Sequence, residues 1–208
     1  MPDQSGTVYG LTLLCPILMD EQARPSHDLQ IREYLAEMPT GAASPFARTP
    51  GTHLARLVVM DDVIFVGTPS HEEHLNSKYL IFETNCDLDA ATYFSELAKS
   101  IPETLDAIWT HCVGYPGALP LQPFVEYMQA CQIETTFFFA AVNNKSMPQT
   151  LQALATQQAV ADLVAAFPGT APSQAQFRDF LATLAAAAPP APGADAPPRP
   201  IRTGGHNE

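Results

Sequence analysis

The groups able to do chemistry in this chain are a few charges and histidines set inside apolar runs. His53 and Arg56 lie three residues apart in Thr52-His53-Leu54-Ala55-Arg56-Leu57-Val58-Val59-Met60. A strand alternates faces every residue, so these two side chains leave on opposite faces unless a bulge intervenes. An arginine within an apolar strand is costly without an anion or carboxylate partner. Glu83, inside the apolar segment 78–86, is the nearest candidate. Either the two form a structural pair on neighbouring strands, or they make the polar floor of a pocket. Asn85 shares the face of Glu83 and could reach a ligand there, whereas Asp87 and Asp89 read as helix caps. His111 and Cys112 are adjacent, so on a strand they cannot form a Cys–His dyad with each other. His111 shares its face with Trp109 and precedes the turn Gly114-Tyr115-Pro116-Gly117. Strand ends and the loops after them collect functional groups. The expected catalytic groups are therefore His111 and Arg56, with His53, Glu83, Asn85, Trp109 and Tyr115 lining a ligand site.

Other motifs fail on spacing. His71-Glu72-Glu73-His74 lacks the i, i+4 histidines of a zincin helix, so it reads as a solvated charged loop and no metal site is expected. The scattered glycines make no phosphate-cradling loop, and no Gly-x-Ser-x-Gly elbow occurs. Cysteines at 15, 86, 112 and 131 include no redox or zinc pair spaced by two residues. Falling mostly in apolar runs, they read as buried, reduced thiols of a cytoplasmic protein.

The elements that must position these groups follow from periodicity. Residues 7–17 read as a strand, 29–38 as a helix capped near Ser26, and 39–51 as a loop. Strands follow at 52–60, with a possible return at 63–66, and at 78–86. A helix carries Ala90, Phe94, Leu97 and Ile101 on one face until Pro102 stops it, and 105–112 reads as a fourth strand. The order β-α-β-β-α-β is that of a ferredoxin-like sheet with both helices on one face, leaving the other bare for a second copy. Beyond it, 121–132 reads as a helix and 135–142, with Phe137-Phe138-Phe139, as a buried strand. Ser146 caps a long helix to Phe167, and Ser173 with Gln176 boxes a last one. The reading is one α+β domain over 1–188 and a disordered Ala/Pro tail over 189–208.

The 208 residues are 46% apolar, enough for a core, with a formal charge of −12. That acidity argues against binding nucleic acid or anionic lipid, both of which need clustered Lys and Arg. The start, MPDQSGTVYG, has neither a basic leader nor a signal-like apolar core, and no run is long enough to span a membrane.

Three strings resemble a set found in uncharacterised bacterial proteins of the dimeric α/β-barrel type. They are Thr52-His53-Leu54-Ala55-Arg56, the segment from Leu80 to Asp87, and Leu105 to Pro116 with its His111-Cys112-Val113-Gly114-Tyr115-Pro116 end. Those proteins carry T-H-F-A-R, S-N-x-D-G and H-C-x-G-Y-P motifs; this chain has Leu54, Thr84 and Leu88 where they have Phe, Ser and Gly. The resemblance covers about residues 7–165 and implies a ferredoxin-like homodimer. Its wider superfamily holds dye-decolourising peroxidases, other haem proteins and cofactor-free monooxygenases, so fold analogy leaves the activity open. Haem-binding members hold iron by a helical histidine. Here the histidines at 27, 53, 71, 74, 111 and 206 fall outside the predicted helices, so no haem and no other cofactor is expected. The expected function is binding of a small molecule, with cofactor-independent catalysis within reach; the alternative is a non-catalytic assembly or interaction module, and a second alternative is a haem-dependent peroxidase-like enzyme.

Overall fold

In the computed structural model, which describes residues 3–63, 67, 74–167 and 172–186, helices pack on an open antiparallel sheet. The strands are β1 (Gln4–Ser5), β2 (Val8–Pro16), β3 (Thr52–Met60), β4 (Tyr79–Cys86) and β5 (Gln132–Ile133). Helix α1 (His27–Glu37) precedes β3, and α2 (Ala90–Ser100), α3 (Pro102–Trp109) and α4 (Leu121–Ala130) follow β4. After β5 come α5 (Met147–Ala166) and α6 (Gln174–Ala186). The sheet order is β1-β2-β4-β3, with β5 also pairing β2, and every pair is antiparallel. The strands expected at 7–17, 52–60 and 78–86 are thus present, as are the helices expected at 29–38, 121–132 and 146–167. Residues 64–66 of the expected strand return and the 189–208 tail lie outside the described residues.

Alternation assigns the sheet faces. Leu11, Leu13 and Cys15 of β2 and Leu80, Phe82, Thr84 and Cys86 of β4 are buried beneath the helices. They meet Ile31 of α1, Phe94 and Leu97 of α2, Leu105, Ile108 and Trp109 of α3, and Phe124 and Met128 of α4. The Phe82 and Trp109 rings meet edge to face at 5.4 Å between centroids, and the Trp109 Nε1–H donates to Cys15 Sγ at 3.3 Å. The opposite sheet face carries Leu54 and Val58, both exposed, beside Arg56 and Glu83.

Two sequence expectations are corrected. Residues 105–112 are not a strand: Pro102 opens helix α3, and the buried Thr104, Leu105, Ile108 and Trp109 recur at helical spacing. Proline fits that first position because its missing N–H would have had no partner in the helix. Residues 135–142 form no strand either. The upper edge of β2 is already occupied by β1, and the Gly10 N–H donates to Asp3 O at 2.8 Å, so the chain leaves the edge after two residues of β5. Phe137 and Phe139 are consequently exposed, at 82% and 70%, rather than buried. Phe138 turns back onto Gly10, where an added Cβ would stand 2.6 Å from its ring.

Side-chain caps mark the starts of α2, α5 and α6, whereas Ser26 stands at the start of α1 without a side-chain cap bond. Asp89 accepts the Thr92 N–H at 3.2 Å at the start of α2, and Ser146 forms a reciprocal capping box with Gln149 at the start of α5. Ser173 and Gln176 exchange the same pair of bonds before α6.

Candidate functional site

The segment Thr135–Phe138 crosses one end of the open sheet face and leaves a groove of about 350 Å³ beneath it. Gly10, Thr12, Leu54, Arg56, Glu83 and Asn85 make the floor, and Thr135, Phe137 and Phe138 the wall. Register explains the floor: Arg56 stands directly opposite Glu83 and Leu54 opposite Asn85 on the neighbouring strand. Arg56 Nη2 donates to Glu83 Oε2, the cross-strand pair anticipated from sequence. Arg56 remains 64% exposed, so its other donors face solvent. The Asn85 carboxamide has no hydrogen-bond partner among the described residues, which leaves a donor and an acceptor for a ligand.

His53 is displaced by a bulge between Thr52 and Leu54. Its Nε2 meets Asp87 Oδ1 at 2.6 Å, while Asp87 Oδ2 accepts the Met147 N–H at 2.7 Å. Asp87 therefore ties the start of β3 to the start of α5, and capping of α2 falls to Asp89. Thr84 Oγ1 donates to Leu54 O at 2.8 Å, and the Thr52 and Thr84 hydroxyls both lie 3.0 Å from the Tyr93 hydroxyl, so the bulge rests on a buried polar network. His53 also lines a second open groove, of about 390 Å³, with Leu35, Met38, Phe46 and Leu57 along the free edge of β3.

The other expected site residues lie apart from the sheet groove. His111 is in the turn after α3, not on a strand, and its Nδ1 lies 2.9 Å from His27 Nδ1. Burial, reinforced by His27, holds its pKa below the ordinary imidazole value. Trp109 is fully buried, with its one donor spent on Cys15, so it belongs to the core and cannot line an open site. Tyr115 packs on Phe124 and Tyr127, and its hydroxyl donates to Asp106 Oδ1 at 2.9 Å. The same oxygen accepts the Ala118 N–H at 2.8 Å, so Tyr115 staples the turn to α3. His74 binds Asp62 at 2.6 Å, and among the described residues no three His, Cys, Asp or Glu side chains are grouped to hold a metal ion.

Of the seven residues that sequence reasoning assigned to one site, the structure brings Arg56, Glu83 and Asn85 together and places His53, Trp109, His111 and Tyr115 apart from them. Sequence reasoning missed the groove wall, because the Phe run reads as a core strand. It also missed His27 as the partner of His111, since nothing local links residues so far apart in the chain. No helix among the described residues is long and apolar enough to cross a membrane. No protein-family model, curated protein or solved structure matches the chain.

Proposed function

We propose that this chain binds a small molecule in the groove between the open sheet face and Thr135–Phe138. The observation that carries the reading is the convergence of Arg56, Glu83 and Asn85 beneath Phe137 and Phe138. Such a site takes a ligand with a flat apolar body and an acidic or amide head. The body stacks against the phenyl rings; the head exchanges with Glu83 for the Arg56 guanidinium and bonds the Asn85 carboxamide. A groove of this volume is within the range of small-molecule sites, and its openness leaves room for a cover. The reading extends to a ferredoxin-like homodimer whose second sheet supplies that cover, as the resemblance of the sequence strings implies. The exposed Leu54 and Val58 on the same face favour a cover of some kind.

Ligand-observed NMR with a set of small aromatic carboxylates and amides tests the site. Saturation transfer to aromatic carboxylates is expected, lost in Arg56→Ala and weakened in Asn85→Ala. Equal transfer to wild type and both variants would remove the groove from consideration. The second reading, a non-catalytic interaction module, rests on the same exposed apolar residues. It is favoured if no member of the set binds while Leu54→Asp abolishes self-association.

A further inference from the structure

Away from the sheet groove, the densest collection of reactive groups is sulfur. Cys15 sits on the buried face of β2 and is fully enclosed, whereas Cys131 caps the C-terminal end of α4 and is partly exposed. The backbone holds the two together: the Leu14 N–H donates to Cys131 O at 2.9 Å, and the next residues continue as the Leu13–Gln132 pairing of β5. That contact sets the two thiols beside each other. Cys112, pinned by its bridge to Ile17, borders the same cluster. The Tyr127 hydroxyl is buried there with no oxygen or nitrogen partner, and its polar neighbours are the Cys112 and Cys131 sulfurs.

We propose that Cys131 is a peroxide-sensitive thiol and that Cys15 is its resolving partner, so that oxidation closes a Cys15–Cys131 disulfide within the folded chain. The Cys131 thiolate attacks a hydroperoxide oxygen; an S–O bond forms, the O–O bond breaks, and the leaving oxygen departs as water or alcohol with the thiol's proton. The Cys15 sulfur then attacks the resulting sulfenic acid. The S–S bond forms, the S–O bond breaks, and the hydroxyl leaves as water with the Cys15 proton. Two thiols together lose two electrons to one peroxide.

The roles follow from position. Cys131 is the more accessible of the two, and the Cys15 thiol beside it, helped by Tyr127 and opposed by burial, holds its pKa below the ordinary thiol range. That same contact, with burial, raises Cys15, which also accepts the Trp109 N–H. Cys86 and Cys112 are buried thiols raised mainly by desolvation, each to about 12, and remain protonated at neutral pH.

The test uses the full chain. Iodoacetamide is expected to label Cys131 at least tenfold faster than the other three cysteines at pH 7. A small excess of hydrogen peroxide should lower the intact mass by two hydrogens and yield a Cys15–Cys131 cross-linked peptide under non-reducing digestion. In Cys15→Ser, dimedone should trap a sulfenic acid at Cys131; in Cys131→Ser, neither adduct nor cross-link should form. Alkylation of Cys131 no faster than Cys86 would overturn the proposal. So would a Cys112–Cys131 cross-link, or oxidation of wild type to sulfinic acid without a disulfide.

Discussion

The contact between His27 and His111 requires at least one neutral ring, because an Nδ1–Nδ1 hydrogen bond needs both a donor and an acceptor. Burial first, then His27, depresses the folded-state pKa of His111 below 6.5. Between the unfolded and folded values the unfolded chain binds more protons, so this contribution to stability is complete above pH 6.5 and is lost as pH falls. Melting temperature is expected to decline below pH 6.5 in wild type and to decline less in His27→Gln; parallel profiles would exclude the pair as the cause. Arg56 and Glu83 behave differently. Their pair is largely exposed, so Arg56→Ala should cost stability only about 0–1 kcal/mol by urea titration while removing ligand binding. The pair was legible because both charges interrupt apolar strands that topology brings side by side. The histidine contact was not, because His27 opens a helix and His111 sits in a turn, positions that carry no pairing signal in the local pattern.

At the scale of elements, the error over 105–112 has a compact physical cause. Leu105, Ala107 and Trp109 alternate as a strand would, yet the buried set Thr104, Leu105, Ile108 and Trp109 fits a helix equally well. Eight residues hold barely two turns, too few for periodicity alone to decide, and Pro102, which does end α2 as expected, also opens α3. The turn that follows is held by one carboxylate. Asp106→Ala removes the acceptor of both the Tyr115 hydroxyl and the Ala118 N–H and should lower stability by about 1–2 kcal/mol, with Asp106→Asn recovering part of it. Equal stability of all three proteins in urea would show the staple to be dispensable. The long strands and capped helices were readable because cap chemistry and hydrophobic period agree there. The Phe137–Phe139 segment was not, because composition cannot show that β1 already occupies the strand edge it would have used.

For the whole molecule, the sheet has one face under helices and one face open, with Leu54 and Val58 exposed on the open side. If a second copy covers that face, light scattering should give twice the 22.5 kDa chain mass, and Leu54→Asp with Val58→Lys should return the monomer with the melting temperature of the single chain intact. A wild-type monomer at all concentrations would exclude this. Acid stability has a second contributor across the fold. Burial opposes the charge on Asp28, but hydrogen bonds from Lys78 and Ser26 outweigh it and lower its pKa. Stability from that pair is present above about pH 3.8 and is lost as pH falls further. Lys78→Met, which strands the buried carboxylate, should cost about 1–3 kcal/mol at neutral pH by urea titration, and Asp28→Asn with Lys78→Met should cost less than the single change.

The chain contains a single tryptophan, and that indole hydrogen-bonds to sulfur. Thiols quench indole emission on contact, so Trp109 should be dim and blue-shifted in the native protein and should brighten and redden as the core opens. The molecule thereby reports on its own interior without an added dye. Cys15→Ala should raise native emission without moving its wavelength, whereas loss of core packing would move both, so one spectrum separates the loss of a quenching neighbour from the entry of water.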